Sequence, residues 1–259
     1  MNKVSKFFLI LLIVICTISS YFFIKKLGEN KKENSVFTNL QETITNNDDI
    51  TSENQNVDAI KVEPSNLSIK NTYNLKSIIK INSDVIGWLK IDGTNIDYPV
   101  MQNGDFYLHK NIYKNYSSHG TPYLAQYCNL ITSDNLIIYG HHMKDNTMFA
   151  QLEKYKNYNF YKSHKYIKFY TIDNNTTTEN IYEVMIAFKT IAYSDQGFRY
   201  YLYTDFQNKE EYEEFIENCR KLEFYNTGIV GTNKDKYITL STCEYSQKNG
   251  RMIIVAKKI

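Results

Sequence analysis

Cys243 closes the run Ile238-Thr239-Leu240-Ser241-Thr242-Cys243, where a strand-like segment ends in small hydroxyl residues before the polar loop Glu244 to Gly250. A thiol at the end of a buried strand is held rigidly and still meets substrate, which is the placement a nucleophile needs. The chain has four cysteines. Cys219 falls on the apolar face of a helical pattern and reads as core, and Cys128 follows Tyr127 in a turn with no base near it in sequence. Only the thiolate attacks well, and a free thiol has a pKa near ~8.5, so a nucleophilic Cys243 needs a base.

Of the five histidines, His141 and His142 follow the strand-like Leu136-Ile137-Ile138-Tyr139 and a Gly140 that permits a sharp turn. Either ring can serve as that base. His109, His119 and His164 lie in polar, Tyr- and Lys-rich surroundings and read as solvated or core side chains. The adjacent pair lacks the i, i+4 spacing and carboxylate of a zinc helix, so no metal is expected. Arg251 opens the strand-like Arg251-Met252-Ile253-Ile254-Val255-Ala256, eight residues after Cys243 (251 − 243). An antiparallel return through the intervening loop places the start of this strand beside the end of the previous one. Arg251 then faces Cys243, where its fixed charge stabilises an oxyanion or orients a peptide carbonyl.

These side chains need a rigid frame. Leu75, Ile78, Ile79 and Ile81 predict a short amphipathic helix over Tyr73 to Ile81. Asp84 to Val100 reads as strand, turn, strand around Asp92-Gly93-Thr94-Asn95. Further strands are expected at Asn135 to Tyr139, Tyr166 to Ile172, Tyr182 to Tyr193, Lys236 to Thr242 and Arg251 to Ala256, all rich in Ile, Val, Tyr, Phe and Thr. Phe206, Tyr212, Phe215, Ile216, Cys219 and Leu222 recur at helical spacing, so a helix is expected over Asp205 to Leu222 with Asp205 or Thr204 as its cap. A second, shorter helix is expected near Met148 to Tyr155. Many strands with a few helices make the domain mostly β and barrel-like, or α+β.

The remaining 72 residues at the N-terminal end are of two other kinds. Phe7 to Ile24 carries no charge and is flanked by Lys3, Lys6, Lys25 and Lys26. At about 1.5 Å per residue it is just long enough to cross a bilayer, and Tyr21, Phe22 and Phe23 occupy the place where a cleaved signal needs small residues. Residues 1–26 are therefore expected to be an uncleaved single-pass anchor. Its short N-terminal tail favours an extracellular location for the large C-terminal part. Residues 27–72 turn to Asn, Glu, Lys, Ser and Thr, with four basic against eight acidic side chains and Phe37 as the one aromatic. They read as a solvated stalk, in which short helical stretches are allowed. Residues 73–259 form the folded domain.

The whole chain of 259 residues carries 30 basic and 28 acidic groups, a net charge of +2 that offers no strong field for nucleic acid. Four cysteines are too few for a disulfide scaffold, and neither GxGxxG nor GxxxxGK[ST] occurs, so no organic cofactor is expected.

Thr239-Leu240-Ser241-Thr242-Cys243 resembles the TLxTC signature of the sortases, Tyr139-Gly140-His141-His142-Met143 resembles their catalytic His segment, and Arg251 falls where their essential Arg follows the Cys. Class B is the closest likeness: Ile81-Asn82-Ser83-Asp84-Val85-Ile86-Gly87-Trp88 and Ile96-Asp97-Tyr98-Pro99-Val100 look like its N-terminal segment, and the long helix between the penultimate strands is also similar. The likeness runs from about Leu75 to the C-terminus and leaves the stalk uncovered.

The resemblance implies a membrane-anchored cysteine transpeptidase of a Gram-positive cell envelope, built on an eight-stranded β-barrel. Cys243 would attack the Thr carbonyl of a C-terminal sorting signal on a surface protein. His141, which directly follows the glycine as the family's catalytic His does, would be the acid or base, and Arg251 would hold the signal or the oxyanion. The acyl group would pass to an amine of a peptidoglycan precursor or of a pilin. Tyr139, Ser241, Thr242, Glu244 and Leu108 are the expected substrate-groove residues.

Two other readings compete. One is a secreted cysteine peptidase that hydrolyses wall peptides, disfavoured because papain-type enzymes place Cys before His, whereas His141 precedes Cys243 by 102 residues (243 − 141). The other is a non-enzymatic binding domain on a stalk.

Overall fold

A computed structural model describes residues 3–45, 73–173, 176–193 and 195–259. The chain divides into two compact units between Glu42 and Thr43. The first is made by helix α1 (Lys3–Thr45) as far as Glu42. This helix includes a stretch long and apolar enough to cross a membrane, with mean hydropathy 2.7. Its side chains from Phe7 to Ile24 are exposed, as lipid-facing side chains would be.

The solvated stalk expected from residue 27 is helical up to Thr45. The segment contains no proline and only one glycine, and Phe37, Leu40 and Ile44 recur at i, i+3 and i+7, a short apolar stripe that composition alone obscures. Stalk residues 46–72 lie outside the described residues.

The second unit is a closed barrel. Its strands are β1 (Val85–Lys90), β2 (Asp97–Met101), β3 (Tyr123–Leu124), β4 (Asn135–Tyr139), β5 (Tyr166–Asp173), β6 (Thr176–Ile191), β7 (Tyr237–Glu244) and β8 (Gly250–Lys258). They close in the order β1-β2-β3-β4-β7-β8-β6-β5, which leaves no free sheet edge. Two neighbouring pairs are parallel, β2 with β3 and β4 with β7, and the rest are antiparallel. Fully buried Trp88, Leu89, Ile137, Phe169, Phe188, Leu240 and Ile254 are among the side chains of the core. Trp88 also satisfies its indole N–H on Asp97 Oδ1 at 2.5 Å, so one buried polar group is paired where the β1 and β2 strands meet.

The strands lie where hydrophobic patterning puts them, with ends displaced by a few residues. Helix α2 (Leu75–Ile81) leads into β1. Strand β3 is an addition to the expected strands, because two residues are too short to show a period. The second helix expected near Met148 is a 3-10 turn at Ala150–Lys156 followed by α3 (Tyr158–Ser163), which Asn157 caps through the amides of Asn159 and Phe160.

The long helix α4 (Lys209–Leu222) starts later than expected. Asn208, not Asp205 or Thr204, is its cap: Asn208 Oδ1 accepts from Glu211 N at 2.8 Å, and Glu211 Oε2 accepts in return from Gln207 N at 2.7 Å. Phe206 belongs to the apolar cluster with Tyr212, Phe215 and Tyr237 but joins it from the loop before the helix. Thr204 serves β4 instead, its carbonyl accepting from Asn135 N at 2.8 Å, and Asp205 Oδ2 accepts from Thr204 Oγ1 at 3.0 Å.

Replacing fully buried Phe215 of α4 by alanine is expected to cost about 3–5 kcal/mol. Glu213→Ala, on the same helix but exposed, should change stability by no more than about 0.5 kcal/mol. Denaturant unfolding of the two variants measures the contrast.

Candidate active site

Five register pairs join β4 to β7 in parallel, ending with Tyr139 beside Ser241. The pairing continues past the end of β4: Gly140 N donates to Ser241 O at 3.2 Å, Thr242 Oγ1 donates to Gly140 O at 2.7 Å, and His142 Nδ1 donates to Cys243 O at 2.9 Å. Two residues beyond Tyr139 is His141, and two beyond Ser241 is Cys243. On the other side of β7, the antiparallel register sets Cys243 opposite Arg251 on β8. Three neighbouring chain segments therefore carry His, Cys and Arg in one row across the barrel.

A cleft of about 410 Å³ opens over this row and is lined by all three, together with Leu108, Tyr139, Ser241 and Thr242. Gly140 lets the chain pass against the Phe149 ring just before His141, since a Cβ there would lie 2.6 Å from that ring. Phe149 N donates in turn to His141 O at 2.8 Å.

The two adjacent histidines separate cleanly. His141 Nε2 lies 2.7 Å from Leu108 O. A carbonyl only accepts, so Nε2 carries a proton and Nδ1 is left free to exchange one. Burial lowers the pKa of His141 and outweighs the Leu108 carbonyl, which raises it, while the His109 and His119 rings lower it further. The His109 ring stacks against it with centroids 5.5 Å apart. His142, outside the cleft, spends Nδ1–H on the Cys243 carbonyl and packs its ring 5.1 Å from that of Tyr245. It braces the turn that presents the thiol.

Cys243 is free and partly accessible, whereas Cys128 and Cys219 are buried and burial pushes both thiols up, which suits inert core residues. Arg251 is the one Lys or Arg side chain lining the cleft among the described residues. Its Nη1 donates to Gly250 O at 3.0 Å, and its guanidinium sits 5.8 Å from the centre of the exposed Tyr193 ring.

Of the expected groove residues, Glu244 departs from its place. It is only 3% exposed and does not line the cleft. Alternation along β7 sends it to the face opposite Cys243, where it meets Lys156 Nζ at 2.9 Å and Ser246 Oγ at 2.7 Å. Burial would raise its carboxyl, but Ser246 and Lys156 hold it below the usual range, so it stays an anion anchoring the end of β7. Ser241 and Thr242 line the cleft yet are themselves buried, with Ser241 Oγ 2.7 Å from Tyr200 Oη.

Tyr123, Tyr127, Tyr193, Tyr200 and Tyr201 also line it, a set that sequence spacing did not single out. Tyr127 Oη and Tyr139 Oη pair at 2.8 Å. Burial raises Tyr139 and Tyr200 well above the ordinary phenol and Tyr123 to about 12, so these walls are neutral and aromatic.

A model of the Sortase domain matches residues 89–259 of the chain. Sortase B of Staphylococcus aureus (strain NCTC 8325 / PS 47) is 34% identical over 258 residues, covering 96% of this chain and 94% of that relative. A solved Staphylococcus aureus sortase B–substrate complex is similar in structure with a TM-score of 0.70 at 31% identity, covering 89% of this chain and 98% of that one. The X-ray structure of Clostridium perfringens sortase B gives a TM-score of 0.63 at 34% identity and covers 71% of this chain and 99% of that one.

His141 is expected to titrate below the ordinary histidine value of about 6.5, followed through its ring resonances by NMR. The sign of the stability effect follows. A depressed folded-state pKa means that the unfolded chain binds the extra proton first. The contribution of His141 is therefore complete above about pH 6.5 and declines as pH falls through its folded value. Unfolding of the wild type and His141→Gln between about pH 7 and 5 should show the wild type losing its relative advantage at the acid end.

Proposed function

The chain belongs to the sortase family and within it to class B, and on that premise we propose that Cys243, His141 and Arg251 are its catalytic residues. The observation that carries the assignment is the row formed by β4, β7 and β8, which sets Cys243 opposite Arg251 and extends the Tyr139 and Ser241 register to His141.

The reaction runs in two acyl transfers. Cys243 Sγ attacks the Thr carbonyl of a C-terminal sorting signal while Nδ1 of His141 takes the thiol proton. Arg251 stabilises the oxyanion, a group it can meet with two N–H donors at once. The C–N bond breaks, His141 returns its proton to the departing amine, and a thioester on Cys243 remains. An incoming amine then loses a proton to the same Nδ1, attacks the thioester, and expels the thiolate. Fixing the proton on Nε2 through the Leu108 carbonyl leaves Nδ1 as the one position that turns over. Its depressed basicity keeps the ring neutral near pH 7 and makes the imidazolium, once formed, a ready acid. The neutral tyrosine walls favour peptide over bulk water, which suits aminolysis over hydrolysis.

Leu108, Tyr139, Ser241 and Thr242 serve as groove residues for the signal. The apolar segment of α1 acts as the membrane anchor, residues 27–72 as the tether, and residues 73–259 as the extracellular catalytic domain. The acceptor is an amine of a peptidoglycan precursor or of a pilin.

Product analysis with a threonine-containing sorting peptide and excess amine should give mainly the transfer product, and Cys243→Ala should give none. Mostly hydrolysed peptide under abundant amine would sink the transpeptidase mechanism. Arg251→Lys should remain folded and lose about 10²-fold or more in kcat/KM, because an ammonium cannot reproduce the planar fork. Near-normal turnover by that variant would assign Arg251 a structural role only.

A further inference from the structure

His119 is a buried titratable side chain that the reaction above does not employ. It sits in the connection between β2 and β3, where its side chain is 0% exposed, and it lies outside the cleft lining. Its Nε2 lies 3.0 Å from Asp145 Oδ2, four residues beyond His141 in the loop that follows β4. The carboxylate only accepts, so the imidazole donates. Asp145 is tied down as well: its Oδ1 accepts from Thr147 N at 3.2 Å and from Thr147 Oγ1 at 2.5 Å. Burial would raise this carboxyl, and Thr147 and His119 together hold it below the usual range, so the pair carries an anion partly out of water.

The same two chain segments meet a second time. Leu108 O accepts from His141 Nε2 at 2.7 Å, with Leu108 in the 3-10 turn Phe106–His109 that opens the β2–β3 connection. Residues 117–121 fold back over that turn. Thr121 N donates to Tyr107 O at 3.0 Å, and Gly120, at φ +60° in the left-handed region, passes so near that a Cβ would lie 2.4 Å from Leu108 O. The amides of His119 and Gly120 both donate to Ser117 Oγ at 3.1 Å. One bond between two loops leaves a pivot, and a second removes it.

We infer that buried His119 and the more exposed Asp145 form a latch between the β2–β3 connection and the loop after β4, which positions His141 by holding the Leu108 carbonyl on its Nε2. His119 and Asp145 are positioning residues: neither touches the cleft, and their effect reaches the chemistry through the orientation and tautomer of another ring. The inference rests on His141 as the proton carrier, but the state of its ring can be read without catalysis.

The test uses the full chain with His119→Phe, which fills the space without the bond, and Asp145→Ala, which removes the same bond from its less buried side. Long-range 15N–1H correlation of the His141 ring should show the Nε2–H form dominant in wild type and diminished in both variants. Turnover of a threonine-containing sorting peptide should lose about 10-fold or more in kcat, with any rise in KM smaller than that loss, since Leu108 is one of several residues lining the groove whereas His141 depends on its carbonyl directly. The double variant should fall no further than the worse single one. Should His119→Phe fail to fold, Asp145→Ala carries both measurements.

An undiminished Nε2–H form, or losses that add in the double variant, would overturn the latch. A diminished Nε2–H form with normal turnover would instead keep the latch and overturn His141 as the proton carrier.

Discussion

The parallel register between β4 and β7 is the constraint on which the site depends. Side chains alternate faces along a strand, so a slip of one residue would turn either His141 or Cys243 away from the cleft while leaving the other in place. The register is held by buried strand interiors, Leu136 to Ile138 against Ile238 to Leu240, and it is extended by polar contacts at the open end. There Thr242, Gly140 and His142 tie the two chain ends through backbone carbonyls. Cys243 and His141 thus inherit their relation from hydrophobic packing well below them, and β8 adds Arg251 by ordinary antiparallel pairing.

Around that row the protein separates charge from catalysis. The acid next to Cys243 in sequence, Glu244, is turned to the other face, where Lys156 balances its charge and Ser246 donates to it. The cleft keeps one guanidinium, one imidazole and one thiol among mostly neutral phenols and small side chains, with Asp105 as its one carboxylate among the described residues. Burial that drives His141 toward its neutral form is the same burial that strengthens the field of Arg251, because both follow from displacing water. The histidine next in sequence contributes by hydrogen bonding through its own Nδ1, so two identical neighbours perform unlike work.

Much of this was readable from residue order. Cys243, His141 and Arg251 each stand at a strand end flanked by small or glycine residues, and local pattern carries that information well. The strands of the core also declared themselves through β-branched and aromatic runs. What was hidden is of a different physical kind. β3 is too short for any period, and its partners are chosen by the closing of the barrel. The family likeness puts Glu244 in the groove, whereas strand alternation turns it away from Cys243 and out of the cleft. Phe206 looked helical because its burial matches the helix spacing, although a loop delivers it. The tyrosine walls come from several distant segments, including the 3-10 turn Tyr200–Leu202, and share no spacing that a linear pattern could display.

The hydrogen bond from His141 to a main-chain carbonyl sets how this enzyme can change over time. An acceptor that belongs to the peptide backbone is present whatever side chain occupies residue 108, so no single substitution there deletes it. The walls of the cleft are side chains and are free to drift, and with them its shape. The walls of the cleft and the hydrogen bonding of the His141 ring are therefore encoded in separable parts of the chain. A lineage can alter the tyrosines and the leucine of the walls while the carbonyl of residue 108, and the His119–Asp145 contact between the same two segments, stay in place around His141.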